Sequence, residues 1–401
     1  MKKLLIIKFM FVLLLCVISA QDCYAQKHRA PRRPGERMSP SQVESTANKA
    51  FELFEKKQYK EAFGYMLDAA IEGDCVSQGN IGTMYYMGLG HEIDYEKARD
   101  WWLKAVEGGC GDRIKDYLEN LVFVVDGIRY AVNNDNSVTV FPYKVNNVNY
   151  SGLNVASIPN KVSHNNHSYP VTSISEKAFE NCTNLTSVTI GNSVTSIGSH
   201  AFDGCKNLSS VTIPNSVSFV DWRAFYGTPW YDNQPDGVVY AGLVAYEFKG
   251  EMPENTSITL REGTKGISTW AFSDKNNLIS VNIPNSVTTI GQWAFDGCKN
   301  LTSVNIPSSL TTMGGWVFQD CVSLTSITVP ATVAEIGNWA FKGCKGLTSV
   351  TFLGSKTEIG GWAFENCENL TSLTIPDELT EIGMGAFDGC PTSPWKQRKN
   401  K

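Results

Sequence analysis

A sequence of 23 residues is repeated through the C-terminal half of the chain and constrains the fold more than any other feature. One copy reads VTTIGQWAFDGCKNLTSVNIPSS, from 287 to 309. The phenylalanine of successive copies recurs at a step of 23, with one longer gap, at Phe179, Phe202, Phe225, Phe272, Phe295, Phe318, Phe341, Phe364 and Phe387. A fixed period of about 20 to 30 residues with an L-x-x-V-x-I core is typical of a solenoid whose copies stack as successive coils. The sequence therefore predicts a solenoid of 23-residue coils.

Each copy contains one set of apolar residues that a coil can bury. In the copy at 287 to 309 the set is Val287, Ile290, Phe295, Cys298, Leu301, Val304 and Ile306. Leu301, Val304 and Ile306 have the spacing of a strand, and Phe295 with Cys298 is predicted to lie one turn apart on a short helix or 3₁₀ segment. A single coil is too small to bury this set alone, so stability requires stacking.

Two further segments, one before the copies and one between them, have strand-like patterns. Residues 122 to 170 alternate polar and apolar side chains around turn signals, and this block is predicted to cap the first coil. His164 and His167 flank an Asn-Asn turn there, which indicates a solvated turn more than a two-histidine metal site. The longer gap between Phe225 and Phe272 predicts an insert at about 228–263 that contains a β-hairpin.

The whole region from 122 to 394 resembles the BspA-like leucine-rich repeat family. The resemblance lies in the recurring phrase I-G-x-x-A-F-x-x-C-x-x-L-T-S-V-x-I-P, in TPWYDNQPDGVVYAGLVAYEFKG at 228 to 250 and in LREGTKGI at 260 to 267. It implies a leucine-rich repeat solenoid over 171–394. It also implies a binding or adhesion surface of the kind that surface and secreted proteins of host-associated bacteria carry.

Residues 41–120 have a helical pattern that repeats at a step of 36, as from Tyr59 to Tyr95 and from Ala62 to Ala98. Gly88 and Gly90 are predicted to end one helix, and Asp94 to cap the next. Residues 80 to 109 resemble the Sel-one-like repeat, a relative of the tetratricopeptide fold, and an earlier partial match extends the likeness to about 48–109. The matching residues are Gly82, Tyr85, Gly88, Gly90, Asp94, Ala98, Trp101, Lys104, Ala105 and Gly108. This resemblance implies a protein-interaction adaptor.

The ends of the chain predict export. Residues 1–25 combine Lys2 and Lys3, a short apolar run and small residues before a cut, as in a secretory signal peptide. Residues 26–40 are predicted to be a disordered linker, and 395–401 a basic tail. No later apolar stretch is long enough to span a bilayer. The mature protein is therefore expected to be secreted, displayed at the cell surface or held in the periplasm, without a transmembrane segment.

Composition and motifs exclude several classes of function. The net charge of −5 argues against a nucleic-acid partner, because phosphate binding requires a concentrated basic face. The five histidines belong to no nucleophile motif and have no metal-ligand spacing, and the chain contains no nucleotide-binding glycine fingerprint. The sequence thus predicts no enzyme, no catalytic residues, no cofactor and no metal. Its fold class is an α+β repeat protein in which helical hairpins precede the solenoid.

Seven cysteines occupy one position of the repeat, namely Cys182, Cys205, Cys298, Cys321, Cys344, Cys367 and Cys390. Stacking brings adjacent sulfurs close enough for disulfides, which an exporting compartment permits. The same position in a repeat of this kind suits a buried small side chain. Buried free thiols, partial bridging and a metal site are the three alternatives, and the first is favoured.

The candidate partner-binding residues are five tryptophans that precede the Ala-Phe or Val-Phe pair in consecutive coils, here called the tryptophan row: Trp270, Trp293, Trp316, Trp339 and Trp362. At a coil spacing of about 4.8 Å they form a row roughly 19 Å long on the outer side. Two interpretations remain open. The row is either a structural ladder of packed rings or an exposed platform for a protein or glycan.

A second candidate surface lies on the strand face, where polar side chains alternate with buried ones. Its residues are Thr189, Thr212, Asn305, Thr328, Thr351 and Thr374. The function predicted from the sequence is adhesion to macromolecules of host or neighbouring cells. The alternative is a cell-envelope scaffold that binds a bacterial partner through its helical repeats.

Overall fold

The computed structural model describes residues 37–110, 114–142, 150, 152–354, 357–374 and 381–391. The predicted signal peptide at 1–25, most of the predicted linker at 26–40 and the predicted tail at 395–401 lie outside these residues. The chain forms two compact units. The first comprises Met1–Val124 and Tyr130–Ser137, and the second comprises Val125–Arg129 and Val138–Lys401.

The first unit contains helices, each packed against the next along the chain: α1 (Pro40–Glu55), α2 (Tyr59–Ile71), α3 (Cys75–Met87), α4 (Tyr95–Glu107) and α5 (Lys115–Leu121). Small residues let the helices approach closely, since Ala62, Ala69, Ala98 and Ala105 are fully buried. Gly88 ends α3 in the left-handed conformation, and the Asp94 side chain accepts a hydrogen bond from the Lys97 N–H at the start of α4. The predicted helix end and cap are therefore both present.

A disulfide joins Cys75, the first residue of α3, to Cys110, which follows α4; their Cα atoms are 5.7 Å apart. The sequence analysis considered only the seven cysteines of the solenoid and missed this pair. A signal was present, because the separation of 35 residues is close to the step of the helical repeat.

In the described part of the segment between the helices and the first coil there are six strands. They are β1 (Val122–Val125), β2 (Ile128–Val132), β3 (Val138–Val140), β4 (Val155–Ile158), β5 (Lys161–His164) and β6 (His167–Ile174). β1 and β2 form a hairpin whose residues are divided between the two units. β5 and β6 form a second hairpin around Asn165 and Asn166, which both have positive φ. The predicted β-rich segment and its Asn-Asn turn are thus present.

The second unit is a solenoid in which each coil contributes short strands to parallel sheets. One series begins with β6 and continues through β8 (Ser196–Ile197), β10 (Phe219–Val220), β14 (Gly266–Ile267), β16 (Thr289–Ile290), β18 (Thr312–Met313), β20 (Glu335–Ile336) and β22 (Glu358–Ile359). The other begins with β4 and continues through β7 (Ser187–Ile190), β9 (Ser210–Thr212), β13 (Thr256–Thr259), β15 (Leu278–Asn282), β17 (Ser303–Val304), β19 (Ser326–Val329), β21 (Ser349–Phe352) and β23 (Ser372–Thr374). Paired residues such as Ser187 and Ser210 are 23 positions apart, so each strand pairs with the equivalent residues of the next repeat.

The core of the solenoid consists of rows of identical side chains. Neighbouring phenylalanine rings stack with centroids 5.1–5.4 Å apart. In the copy at 287 to 309, Val287, Ile290, Phe295, Cys298 and Leu301 are fully buried. Val304 and Ile306 are only partly buried and pack against this core. The apolar set predicted for the coil therefore forms the core, with two members at its margin.

The seven cysteines of the solenoid are free thiols, as the favoured alternative predicted. Each sulfur from Cys205 onward donates a hydrogen bond to the carbonyl of a phenylalanine in the preceding coil; the Cys298 Sγ, for example, lies 3.0 Å from the Phe272 oxygen. Burial raises the pKa of Cys298 to about 12. Since the thiolate is the reactive form, the raised pKa makes the Cys298 thiol unreactive. At the two ends of the row, hydrogen bonds from Cys205 and Cys367 lower the pKa of Cys182 and of the half-buried Cys390, respectively.

The prediction of a short helix or 3₁₀ segment around Phe295 and Cys298 is wrong, because the segment forms consecutive turns. The Cys298 N–H donates to the Phe295 carbonyl, which closes one turn, but the Phe295 N–H donates to Val317 of the next coil at 2.9 Å. Donors that a helix would use within the segment are therefore engaged between coils.

The insert contains a short helix, α6 (Pro229–Asp232), and a hairpin of β11 (Gly237–Ala241) and β12 (Val244–Lys249). β12 pairs in parallel with β14, so the hairpin joins the series of coil strands. In other coils the phenylalanine N–H donates to a carbonyl of the next coil, whereas the Phe225 N–H donates to the Tyr246 hydroxyl. The predicted hairpin thus provides a side chain that replaces a missing backbone acceptor.

In six coils a glycine follows the Ile or Met at the same repeat position, and close backbone contact between coils leaves no room there for a side chain. A Cβ atom on Gly291 would lie 2.5 Å from the Thr269 nitrogen, and one on Gly314 would lie 2.6 Å from the Gln292 nitrogen. Backbone cannot rotate away as a flexible side chain can. Glycine fits this position because it has no side chain.

Gly291→Ala is expected to lower the free energy of unfolding by about 1–3 kcal/mol, because the added methyl group forces two coils apart. Gly152→Ala is the matched control, since a Cβ there meets nothing within 4 Å. Urea denaturation followed by circular dichroism measures both. Equal stability of the two variants would show that the coils do not approach as closely as described.

Candidate functional site

The tryptophan row lies at a repeat position with an unusual backbone conformation. Trp270, Trp293, Trp316, Trp339 and Trp362 have φ between 51° and 58°, and the equivalent Lys177, His200, Arg223 and Gly385 have φ between 53° and 63°. This left-handed region is unfavourable for residues with a side chain. The backbone N–H of each residue in the row donates to a carbonyl of the next coil, as from Trp293 to Gly315 at 3.1 Å. Hydrogen bonds between coils thus stabilise the conformation that directs these side chains outward.

The five indole rings form one continuous stack. Successive centroids are 4.4, 4.5, 4.7 and 5.1 Å apart, and the ring planes differ by 1°–12°. These separations match the coil spacing expected from parallel strands. The faces of the inner rings are therefore occupied by neighbouring rings, as in a structural ladder.

The edges of the same rings remain available to solvent. All five side chains are half-buried. Among the described residues their indole N–H groups have no hydrogen-bond partner. None of these nitrogen atoms is fully buried. The edge of an aromatic ring carries positive partial charge, and the indole N–H is a donor. The row thus presents a line of donors instead of open aromatic faces, which disfavours stacking of a sugar along it.

The two ends of the row differ. Beyond Trp362 the next equivalent residue is Gly385, and a Cβ there would lie 2.4 Å from the Trp362 Nε1 atom. Before Trp270 the stack continues through Trp222, whose ring lies 4.9 Å away at an angle of 53°. The sequence analysis missed Trp222, because it precedes Arg223 and is therefore one residue out of register with the row. A search that tolerates a shift of one position would have found it.

The second candidate surface follows the strand series from β7 to β23. Thr189, Thr212, Asn305 and Thr328 are exposed, and Thr351 is half-buried. Asn305 uses both ends of its amide on Ile283 of the preceding coil. The side chain of Thr374 lies outside the described residues. This face is thus flat and polar, and part of its hydrogen-bonding capacity is already engaged.

Three acidic side chains of successive coils, Asp274, Asp296 and Asp320, lie close to one another. Burial, together with the nearby carboxylates of Asp274 and Asp320, raises the pKa of Asp296 to about 6.

The two histidines that were considered as metal ligands, His164 and His167, both hydrogen-bond to Asn165 in their turn. No group of three or more His, Cys, Asp or Glu in the described part of the chain is arranged to hold a metal ion.

The first unit has a separate concave surface. A groove of about 520 Å³ is lined by α1, by the segment between α2 and α3 and by the start of α3, including Val43, Phe51 and Val76. Within the described residues, no helix is both long and apolar enough to cross a membrane.

The fold and its side-chain rows define a leucine-rich repeat solenoid. A family profile described as the BspA type leucine rich repeat region matches residues 147–233 and 245–393 in six copies. The match covers more than half of the chain, and the protein therefore belongs to this family. The corresponding part of the resemblance found in the sequence is confirmed, and the Sel-one-like resemblance stays a prediction.

Solved structures similar to this chain are bacterial leucine-rich repeat proteins. One from T. pallidum is 21% identical, with 69% of this chain and 93% of that chain covered and a TM-score of 0.26. A leucine rich cell surface protein from Faecalibacterium prausnitzii is 20% identical, with 69% and 96% covered and a TM-score of 0.27. One from Eubacterium ventriosum is 21% identical, with 67% and 94% covered and a TM-score of 0.34. No curated protein matches the chain.

Stacking predicts unequal costs for removing different members of the row. Trp316 stacks on two neighbours and Trp362 on one. Trp316→Leu is therefore expected to lower the free energy of unfolding by about 0.5–1.5 kcal/mol more than Trp362→Leu, the contribution of one aromatic pair. Chemical denaturation of both variants provides the comparison. Equal losses would indicate that the rings do not stabilise one another.

The pKa of Asp296 predicts a pH-dependent stability. Because the folded-state pKa of about 6 exceeds the unfolded value of about 3.9, folding favours the protonated form. The charged carboxylate destabilises the fold above pH 6, and this cost disappears as the pH falls below about 4. Asp296→Asn should therefore raise the melting temperature at pH 7.5 and leave it unchanged at pH 4. A difference that is the same at both values would contradict the raised pKa.

Proposed function

We propose that this protein is an exported binding protein whose tryptophan row contacts proteins or glycans of host or neighbouring cells. The observation that carries the proposal is the row itself: five stacked, half-buried indoles whose edges and N–H groups face solvent over five consecutive coils. Aromatic side chains on a rigid scaffold supply much of the energy of protein interfaces. Their fixed conformation also lowers the entropy lost on binding.

Two observations support export. The first 25 residues have the pattern of a signal peptide. The disulfide between Cys75 and Cys110 belongs to an oxidising compartment outside the cytosol. The chain's membership of the BspA type family is consistent with a role in binding, and binding without catalysis accounts for the absence of a catalytic motif from the sequence.

Binding to an array of extracellular-matrix proteins and glycans tests the role of the row. The variant is the triple substitution Trp293→Asn, Trp316→Asn and Trp339→Asn, because asparagine tolerates positive φ and should preserve the coils. Each lost contact at the centre of an interface costs on the order of 1 kcal/mol or more, so the variant should bind at least about tenfold more weakly. Circular dichroism checks that it is folded.

The matched control replaces three exposed side chains of the strand face, Thr189→Ala, Thr212→Ala and Thr328→Ala. This control should bind as the wild type does. The proposal fails if the folded tryptophan variant binds normally, and loss of binding in the threonine variant would assign the strand face instead.

A second candidate function is a cell-envelope scaffold that binds a bacterial partner through the helical unit, whose helices we interpret as Sel-one-like repeats. The groove beside α1 favours it, because it combines apolar Val43 and Phe51 with acidic Glu44 and Glu72. Val43→Glu in the full-length chain would abolish partner capture under this alternative. The same change would leave capture intact if the tryptophan row is the site.

A further inference from the structure

An aromatic and cationic cluster adjoins the N-terminal end of the tryptophan row. Trp222 and Tyr226 are the large aromatic side chains that are exposed among the described residues of the second unit, at 39% and 50%. Arg223 lies between them in sequence, at the repeat position that the tryptophans occupy in later coils. The Trp222 ring contacts Trp270, so the cluster is continuous with the row.

The Arg223 guanidinium is held in place but leaves its donors unused. Its Cζ atom lies 3.8 Å from the centroid of Tyr226 and 5.3 Å from that of Trp222. Its Nε atom is 3.3 Å from the Asp203 Oδ2 atom, an ion-pair distance, yet this N–H makes no hydrogen bond. Nor does any other described residue accept a hydrogen bond from the rest of the guanidinium. Because the Nε atom is buried, the two terminal amino groups of the guanidinium, oriented by stacking on Tyr226, are the donors left for a ligand.

The Asp203 carboxylate offsets the positive charge of Arg223 and is more buried than the guanidinium. The same Oδ2 atom lies 2.6 Å from the His200 Nδ1 atom. The Asp203 side chain is 16% exposed, compared with 33% for Arg223, so the carboxylate lies deeper than the guanidinium. A ligand would therefore be recognised by the direction of the Arg223 donors more than by net charge, and its binding should depend only weakly on salt.

We propose that Trp222, Arg223 and Tyr226 form a subsite for a carboxylate of a protein partner, either an acidic side chain or a chain terminus. The inference rests on the proposed function and adds the chemistry of its partner. A carboxylate matches the planar guanidinium fork through two parallel hydrogen bonds. Tryptophan, tyrosine and arginine are also the residues that dominate the energetic centres of protein interfaces. An apolar group beside the carboxylate would pack on Trp222 and continue toward Trp270.

Saturation-transfer NMR with small probes tests the subsite. N-acetyl-leucine presents a carboxylate beside an apolar side chain, and N-acetyl-leucinamide has a neutral amide there, which lacks both the charge and the second acceptor oxygen. The acid should bind about tenfold more tightly than the amide, as expected for one charge-assisted pair of hydrogen bonds. Arg223→Gln should abolish this preference. Arg223→Lys keeps the charge beside Asp203 but loses the fork, and should retain only a small part of the preference.

The controls separate this inference from the proposed function. Trp316→Asn should leave probe binding unchanged, because Trp316 lies three coils from the insert, while weakening binding of the macromolecular partner. Equal binding of acid and amide by the wild type, or full binding by Arg223→Lys, would overturn the carboxylate subsite. Binding of glucuronate without binding of N-acetyl-leucine would overturn the assignment to a protein partner. Normal partner binding by the tryptophan variants would refute the row without affecting the probe result.

Discussion

The outer surface of the solenoid depends on a backbone hydrogen bond that recurs in most coils and links the residue before the Ala-Phe or Val-Phe pair to the next coil; within the described part of the chain, Arg223, before the insert, and Gly385, in the last coil, lack it. It joins His200 to Trp222, Trp316 to Asn338 and Trp339 to Gly361, at about the same distance each time. The donor residue is held at positive φ, at a cost of roughly 1–2 kcal/mol when it carries a side chain. An isolated coil could not maintain this conformation. Stacking supplies the acceptor, and the identical conformation in every coil aligns the side chains.

The same geometry reconciles the two interpretations of the tryptophan row. Rings that share one conformation and one spacing must stack, so their faces contribute to the stability of the solenoid. Their edges cannot be covered by neighbouring coils and remain at the surface. Structure and recognition therefore use different parts of each indole. Trp222 adjoins the row beside Trp270, but its ring is tilted by 53° from that of Trp270. At this end of the stack an aromatic side chain is therefore exposed.

Features that follow from periodicity were predictable from the sequence. The step of 23 predicts the strand register, and the phenylalanine and cysteine positions predict the buried rows. Local chemistry predicted the cap at Asp94 and the helix end at Gly88. These features depend on side chains whose preference is the same in every context. The family follows from the same repeated residues.

Other features depend on contacts that no local pattern encodes. Lys177, His200 and Trp293 share no preference for positive φ, and in each of them a hydrogen bond to the next coil stabilises this conformation. The turn at Phe295 replaces a predicted helix for the same reason. The disulfide at Cys75 joins residues that meet only after two helices have packed. For the candidate site, the sequence predicted which residues form the row but not which part of each ring faces solvent.

Hydrogen exchange of the indole N–H groups, followed by ¹⁵N NMR, tests the central claim most directly. Trp102 is the internal reference, because its fully buried indole donates to the Gly79 carbonyl at 3.1 Å. The indoles of the tryptophan row should exchange much faster than Trp102 while the backbone N–H groups of the same residues stay protected. Protection of the row's indoles equal to that of Trp102 would mean that their edges are covered, and the row could not then be a binding surface.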